Sequence, residues 1–250
     1  MSHPVIERLV ASPACNPPFT LDEALCTYSV LGFQKFEIFT SWVNSAVDWN
    51  EEPSPYLDLA ASYGITYASF HLPPITKDLQ GSLERAVRAA RFAAQLGAPI
   101  VLYKATSRSH YIRGAKPFLD AIDSLDLIPV VQNHFGTSVS TLEDVREVHE
   151  GIDDVRMRAL LEVGHFHTTG ASWRDALGYL QDRVSLVHIK DQVGPQSVPY
   201  GTGEIDLPAL FETLEARGYT GDYVVEMEVA DRAHTVAYLR DALAYIRKYW

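Results

Sequence analysis

Three side chains in the last third of the chain stand where predicted strands end: Glu162 in LLEVGHF, His188 in VHIKD and Glu226 in YVVEMEV. Carboxylates and an imidazole at the same ends of neighbouring parallel strands are the raw material of a divalent-cation site. An unpaired buried carboxylate is costly, so placing one repeatedly there points to a bound cation or to chemistry rather than to packing. The same strand-end rule adds Glu37, His71, Lys104, Gln132 and His134, with His165 just past the sixth strand, and Lys190 and Glu228 near the last two.

These groups need elements to hold them. Leu31-Gly32, Tyr63-Gly64, Leu96-Gly97 and Arg217-Gly218 each close a helix-like segment and lead into an apolar run. Glycine after a helix is a stop signal, and helix–Gly–strand recurring four times implies βα alternation and a parallel sheet. Eight strands are expected at about 4–11, 33–39, 65–71, 98–104, 128–133, 157–163, 184–190 and 222–228. Thr20–Glu23 and Ser140–Glu143 read as capping boxes. Residues 78–96 and 232–249 carry apolar positions at helical spacing. Residues two apart share a strand face. Gln132 with His134, His188 with Lys190 and Glu226 with Glu228 therefore point together, and Val131, Ile189, Val225 and Met227 face the helices.

The 250 residues suit one (β/α)8 barrel spanning 1–250, with an open doubly wound sheet as the alternative. A formal charge of −11 is unfavourable for nucleic acid. Arg85, Arg88 and Arg91 lie at helical spacing and read as a solvated face. No apolar run approaches the ~20 residues of a bilayer span and no leader signal is visible, so a cytoplasmic protein with no membrane partner is expected. Cys15 and Cys26 form no metal or disulfide pattern.

Several motifs, VVQNHFG, LLEVGHFHTTG, VHIKD and GTGEIDLPALFETLEARGYTGDYVVEME, resemble the sugar phosphate isomerase/epimerase superfamily of xylose-isomerase-like barrels. The resemblance covers nearly the whole chain and is strongest from residue 128. It implies a metal held by Gln132, Glu162, His188 and Glu226. Two of these depart from the family pattern, since Gln132 stands where glutamate is usual and Glu162 where aspartate is usual. An amide oxygen can ligate, but it brings no charge and carries no proton. The oxygen-rich set with one imidazole suits Mn²⁺ or Mg²⁺, with Zn²⁺, Co²⁺ and Fe²⁺ also compatible.

By that resemblance Glu226 takes a proton next to a carbonyl while the metal stabilises an enediolate, and His134, His165 or Lys104 returns or relays it. The expected activity is a carbohydrate isomerase or epimerase. A dehydratase or lyase acting on a keto-sugar, cyclitol or keto acid is the alternative, and an inactive ligand-binding barrel a third reading. His71, Lys190, Glu37 and Trp42 are the candidate substrate contacts. Each has a structural reading beside it: Glu37 in an ion pair with Lys104, Lys190 paired with Asp191, His71 and His134 satisfied in the core, and Trp42 and Phe135 as packing. Glu228 could brace His188. His110, His149 and His234 are expected on helix surfaces. The partner is a small carbohydrate, and an exposed barrel face leaves homo-oligomers open.

Overall fold

The computed structural model describes residues 6–249. Eight parallel strands close a barrel: β1 (Leu9–Ala11), β2 (Lys35–Ile38), β3 (Thr66–His71), β4 (Ile100–Leu102), β5 (Ile128–Gln132), β6 (Arg158–Glu162), β7 (Val184–Ile189) and, after a hairpin of β8 (Asp191–Val193) and β9 (Gln196–Val198), β10 (Asp222–Val225). β1 pairs with both β2 and β10, which closes the ring and excludes the open sheet. The first strand is shorter than expected, since Ile6–Arg8 form a 3₁₀ turn and residues 4 and 5 lie outside the described residues.

Helices α1 (Leu21–Leu31), α2 (Ser54–Ser62), α3 (Leu79–Gln95), α4 (Arg108–Ile122), α5 (Leu142–Ile152), α6 (Val163–Thr168), α7 (Trp173–Leu180), α8 (Leu207–Ala216) and α9 (Thr235–Tyr249) connect and cover the strands. Thr20 and Glu23 make the expected capping box on α1, and Gly32 ends that helix at φ 102°, a conformation glycine adopts without a Cβ clash. The second box is displaced by one residue, because Thr141 and Asp144 form it, not Ser140 and Glu143. Asp144 is the acidic side chain whose carboxylate reaches back to the Ser140 and Thr141 amides.

Alternation sorts each strand into two faces. Outward residues such as Val131, Ile189, Val225 and Met227 pack with the helices in the main core. Inward residues Val10, Ala68, Leu102, Val130, Leu160, Leu186 and Val224, with Ile100, form a separate apolar plug inside the barrel. Two residues on from six members of that plug come Ser12, Lys104, Gln132, Glu162, His188 and Glu226. With Glu37 from β2 and His71 from β3 they supply one polar residue per strand at the carboxyl end, above an apolar floor. β3 reaches this arrangement through a bulge: Phe36 pairs with Tyr67 but Glu37 with Ser69, leaving Ala68 as the extra residue. Among the described residues no helix is long and apolar enough to cross a membrane.

Candidate metal centre

His188 is fully buried at the centre of the polar layer. Its Nε2 lies 3.2 Å from Glu37 Oε1, an acceptor, so this nitrogen donates. Its Nδ1 stands 3.1 Å from Glu162 Oε2 and 3.3 Å from Glu226 Oε1, yet makes no hydrogen bond of good geometry. A carboxylate behind one ring nitrogen, with the other nitrogen facing further carboxylates, is the way metal-binding imidazoles are oriented. The Gln132 amide comes within 3.5 Å of Glu162 Oε2. Two carboxylates, one imidazole and an amide thus converge beside an orphaned buried nitrogen, and they fit a divalent cation. The carboxylate and imidazole atoms of Glu37, His188 and Glu226 also lie within 4.8 Å of one another, which would put a cation on the Glu37 side of the ring. The Nδ1 side is favoured, because there the nitrogen lacks a hydrogen-bond partner, whereas Glu37 is already occupied.

Glu37 is completely buried and takes hydrogen bonds from Ser69 Oγ (2.9 Å) and Ser12 Oγ (3.3 Å), while His71 Nε2 lies 3.1 Å away. Burial alone would raise its carboxyl, but His188 and His71 outweigh this and hold it well below the usual carboxylate range. Burial opposes ionisation of Glu226 too, and Lys190 and His188 override it in the same way. Lys190 is buried between Glu226 Oε2 (2.8 Å) and Glu228 Oε2 (2.5 Å). Burial would lower its ammonium, but the facing carboxylates raise it well above the ordinary lysine value.

A cavity of about 280 Å³ opens beside this layer, at the lower end of the range for small-molecule sites. Glu226, Glu228, Gln132 and Lys104 line it, with His134 and His165 on another wall, their rings 4.0 Å apart. Burial pulls His165 down to about 4, so its imidazole is neutral at pH 7. Lys104 Nζ donates to His71 Nδ1 at 2.7 Å, which puts the His71 proton on Nε2, toward Glu37. Burial and the neighbouring Lys104 bring His71 down to about 4, and burial lowers Lys104 itself to about 8. Trp42 stands at the mouth, 61% exposed, with its backbone at φ 57°, a region non-glycine residues seldom occupy.

Residues 28–249 match the model of the xylose isomerase-like TIM barrel family. The chain belongs to that family. This xylose isomerase-like barrel is 30% identical over 140 residues to an inosose dehydratase of Geobacillus thermodenitrificans, a stretch covering 48% of this chain and 47% of that protein. The match therefore spans about half the length of the curated relative. Two solved structures share the fold. The IOLI protein with a binding zinc atom superposes with a TM-score of 0.77 at 16% identity, over 97% of this chain and 99% of that one. The E. coli 3-keto-D-glucoside 4-epimerase YcjR gives 0.78 at 18%, over 96% and 99%.

Several sequence expectations meet a different placement in this family member. Glu37, expected to touch substrate or pair with Lys104, is sealed behind His188 and does not line the cavity. Lys190, also expected at the substrate, is spent on two carboxylates and pairs with neither a ligand surface nor Asp191. Asp191 instead accepts backbone N–H groups from Gly201, Gly203 and Ile205, tying down the loop after β9. A Cβ on Gly203 would sit 2.1 Å from the Asp191 carboxylate, so only glycine fits there. Glu228 braces Lys190 rather than His188. His149 is buried in α5 rather than on its surface, because it falls on the core-facing side with Val145 and Val148. His234 is exposed on a 3₁₀ turn just before α9. Phe135 is 53% exposed and does not line the cavity. Ser12, two residues past Val10, carries no strand-end signal in the sequence, because it lies beyond the first strand and caps the turn that follows.

Proposed function

We propose that this barrel is a divalent-metal-dependent enzyme that removes a proton next to a carbonyl in a small polyhydroxylated ketone, with dehydration as the outcome. The observation that carries the reading is His188 Nδ1, unpartnered and fully buried between Glu162 and Glu226, with Nε2 held from behind by Glu37. Gln132, Glu162, His188 and Glu226 would hold the ion, Mn²⁺ or Mg²⁺ first among the candidates. When bound, such an ion supplies positive charge that polarises a carbonyl oxygen.

The protein's own groups do the rest. Glu226 lines the cavity and is kept ionised by Lys190 and His188, so it is in the form that accepts a proton. The proton that Glu226 takes up can pass to the departing hydroxyl, which leaves as water, and His165, neutral and touching His134, can hydrogen-bond that hydroxyl. Gln132 favours dehydration over epimerisation. Epimerisation needs a proton carrier on both faces of the reacting carbon, and an amide at residue 132 cannot be one. The likeness to inosose dehydratases supports the same choice. Isomerisation or epimerisation is the second reading, supported by the imidazoles of His134 and His165 on the cavity wall, which could return a proton.

The test pairs metal analysis with isotope exchange. Protein purified without chelator should carry about one divalent ion per chain. Incubated in D₂O with ketoses and keto-cyclitols, it should exchange a substrate C–H and release an unsaturated or rearranged product. Absence of both bound metal and C–H exchange would leave the ligand-binding barrel as the reading. Exchange with epimer formation and no loss of water would select the second reading.

A further inference from the structure

Two lysines reach the carboxyl end of the barrel, and their surroundings differ. Lys190 is clamped between Glu226 and Glu228. Lys104 lines the cavity, and no carboxylate among the described residues lies within ion-pair distance of its Nζ. Its hydrogen-bond partner among the described residues is His71 Nδ1, which takes one of its three donors. His71 cannot balance the charge, because it is neutral and its own proton faces Glu37. A half-buried ammonium with spare donors and no carboxylate in contact is costly unless something in the cavity answers it.

The carboxylates near the cavity have partners other than Lys104: Glu226 and Glu228 share Lys190, and Glu37 accepts from His188, Ser69 and Ser12. We infer that the ligand of this cavity carries a carboxylate that pairs with Lys104, so that the substrate is a small polyhydroxylated keto acid rather than a neutral sugar. A carboxylate is favoured over a phosphate because a phosphate needs several convergent donors, usually arginine or a glycine-rich backbone cradle, and the cavity offers one ammonium. The volume of about 280 Å³ agrees with a single small acid. This inference deepens the proposed reaction and rests on it for the keto group, while the carboxylate contact itself requires no metal. It moves Lys104 from the proton-carrying set to the binding set.

Calorimetric titration of metal-free and Mn²⁺-loaded protein with 2-keto-D-gluconate and with D-fructose tests it, the two having the same carbon count and differing in charge. The wild-type protein should bind the acid at least about tenfold more tightly, the range for a charge-assisted hydrogen bond. In Lys104→Met the preference should fall to about twofold or less, and Lys104→Arg should retain most of it. Inorganic phosphate should compete more weakly than the acid. Equal affinities in the wild type, an undiminished preference in Lys104→Met, stronger binding of phosphate than of the acid, or no binding of the acid up to about 10 mM, well above the usual KM range, would each overturn the inference. Metal content measured on the same samples separates the two ideas. Loss of the acid preference with metal still bound refutes only the carboxylate contact, whereas acid binding at Lys104 without any metal uptake refutes only the metal reading.

Discussion

At the amino-terminal end of the barrel a cavity of about 390 Å³ lies among Arg158, Asp182, Ser185, Arg217 and Tyr219; at the carboxyl end the cavity beside His188 measures about 280 Å³. The larger one is chemically quiet. Arg158 donates from Nε to Ser185 Oγ and from Nη2 to the Asp182 carbonyl, and Arg217 donates to the Leu177 carbonyl. Its cations are tied to nearby oxygens by ordinary structural bonds. At the smaller cavity, a buried imidazole nitrogen has no partner and a lysine has donors to spare. Volume therefore says little about where chemistry happens. Polar groups that converge beside a cavity and remain unsatisfied say more.

The strongest way to break this contrast is His188→Ala. Removing the ring leaves Glu37, Glu162 and Glu226 buried without their shared cation. Bound metal should vanish by elemental analysis, and urea unfolding should show a loss of about 3 kcal/mol, the scale for breaking a buried charge cluster. Retained metal would mean the ion sits elsewhere.

Glu226→Gln is milder for the fold and still severe for chemistry. Substrate C–H exchange should slow by about 10²–10⁴-fold, as for loss of a positioned base. An unchanged rate would pass the proton-accepting role to His165.

A third prediction sharpens the contrast through pH. His149 is buried in the helical layer, its Nε2 unpartnered, and burial with Arg183 nearby lowers it to about 4 from the ordinary histidine value of about 6.5. Between those values the unfolded chain binds a proton that the folded chain refuses. Stability should therefore fall as pH drops from about 6.5 to about 4, by about 2 kcal/mol from this residue. Urea unfolding at several pH values should show a shallower decline for His149→Gln, and equal slopes would remove His149 as the cause.

The smallest effect is expected at the opposite end. Arg217→Ala should shift stability by no more than about 0.5 kcal/mol and leave metal content unchanged. A large loss of metal or activity there would overturn the assignment of that cavity as structural.

The eight-strand barrel and most of the polar layer were legible in the sequence, because alternation along each strand and the glycines that follow four of the helices, Gly32, Gly64, Gly97 and Gly218, are local signals. Val130 to Gln132, Leu186 to His188 and Val224 to Glu226 follow the two-residue period directly. Contacts between strands far apart in sequence were not legible. That Glu37 serves His188, 151 residues away, depends on β2 and β7 facing each other across a closed barrel. The choice of Glu226 over Asp191 as the partner of Lys190 is likewise a matter of three-dimensional reach. The β8–β9 hairpin did have a local signal, since Gly194-Pro195 separates two short runs, with Gly194 at φ 54°. Those runs, DQV and QSV, are too short and polar to stand out as strands.

The bulge at Ala68 bears on how chain length can vary within this barrel. Strict alternation from outward Tyr67 would turn Phe70 into the barrel mouth and send His71 toward the helices, whereas the observed strand does the reverse. A chain one residue shorter at this position would regain a regular ladder and still present Ser69 and His71 inward. The same deletion within β5 or β10, where no register shift precedes the polar residue on either neighbouring ladder, would reverse the facing of Gln132 or Glu226. Ala68 thus marks a place where an insertion or deletion can pass through evolution, or a design library, without scrambling the residues that converge on His188.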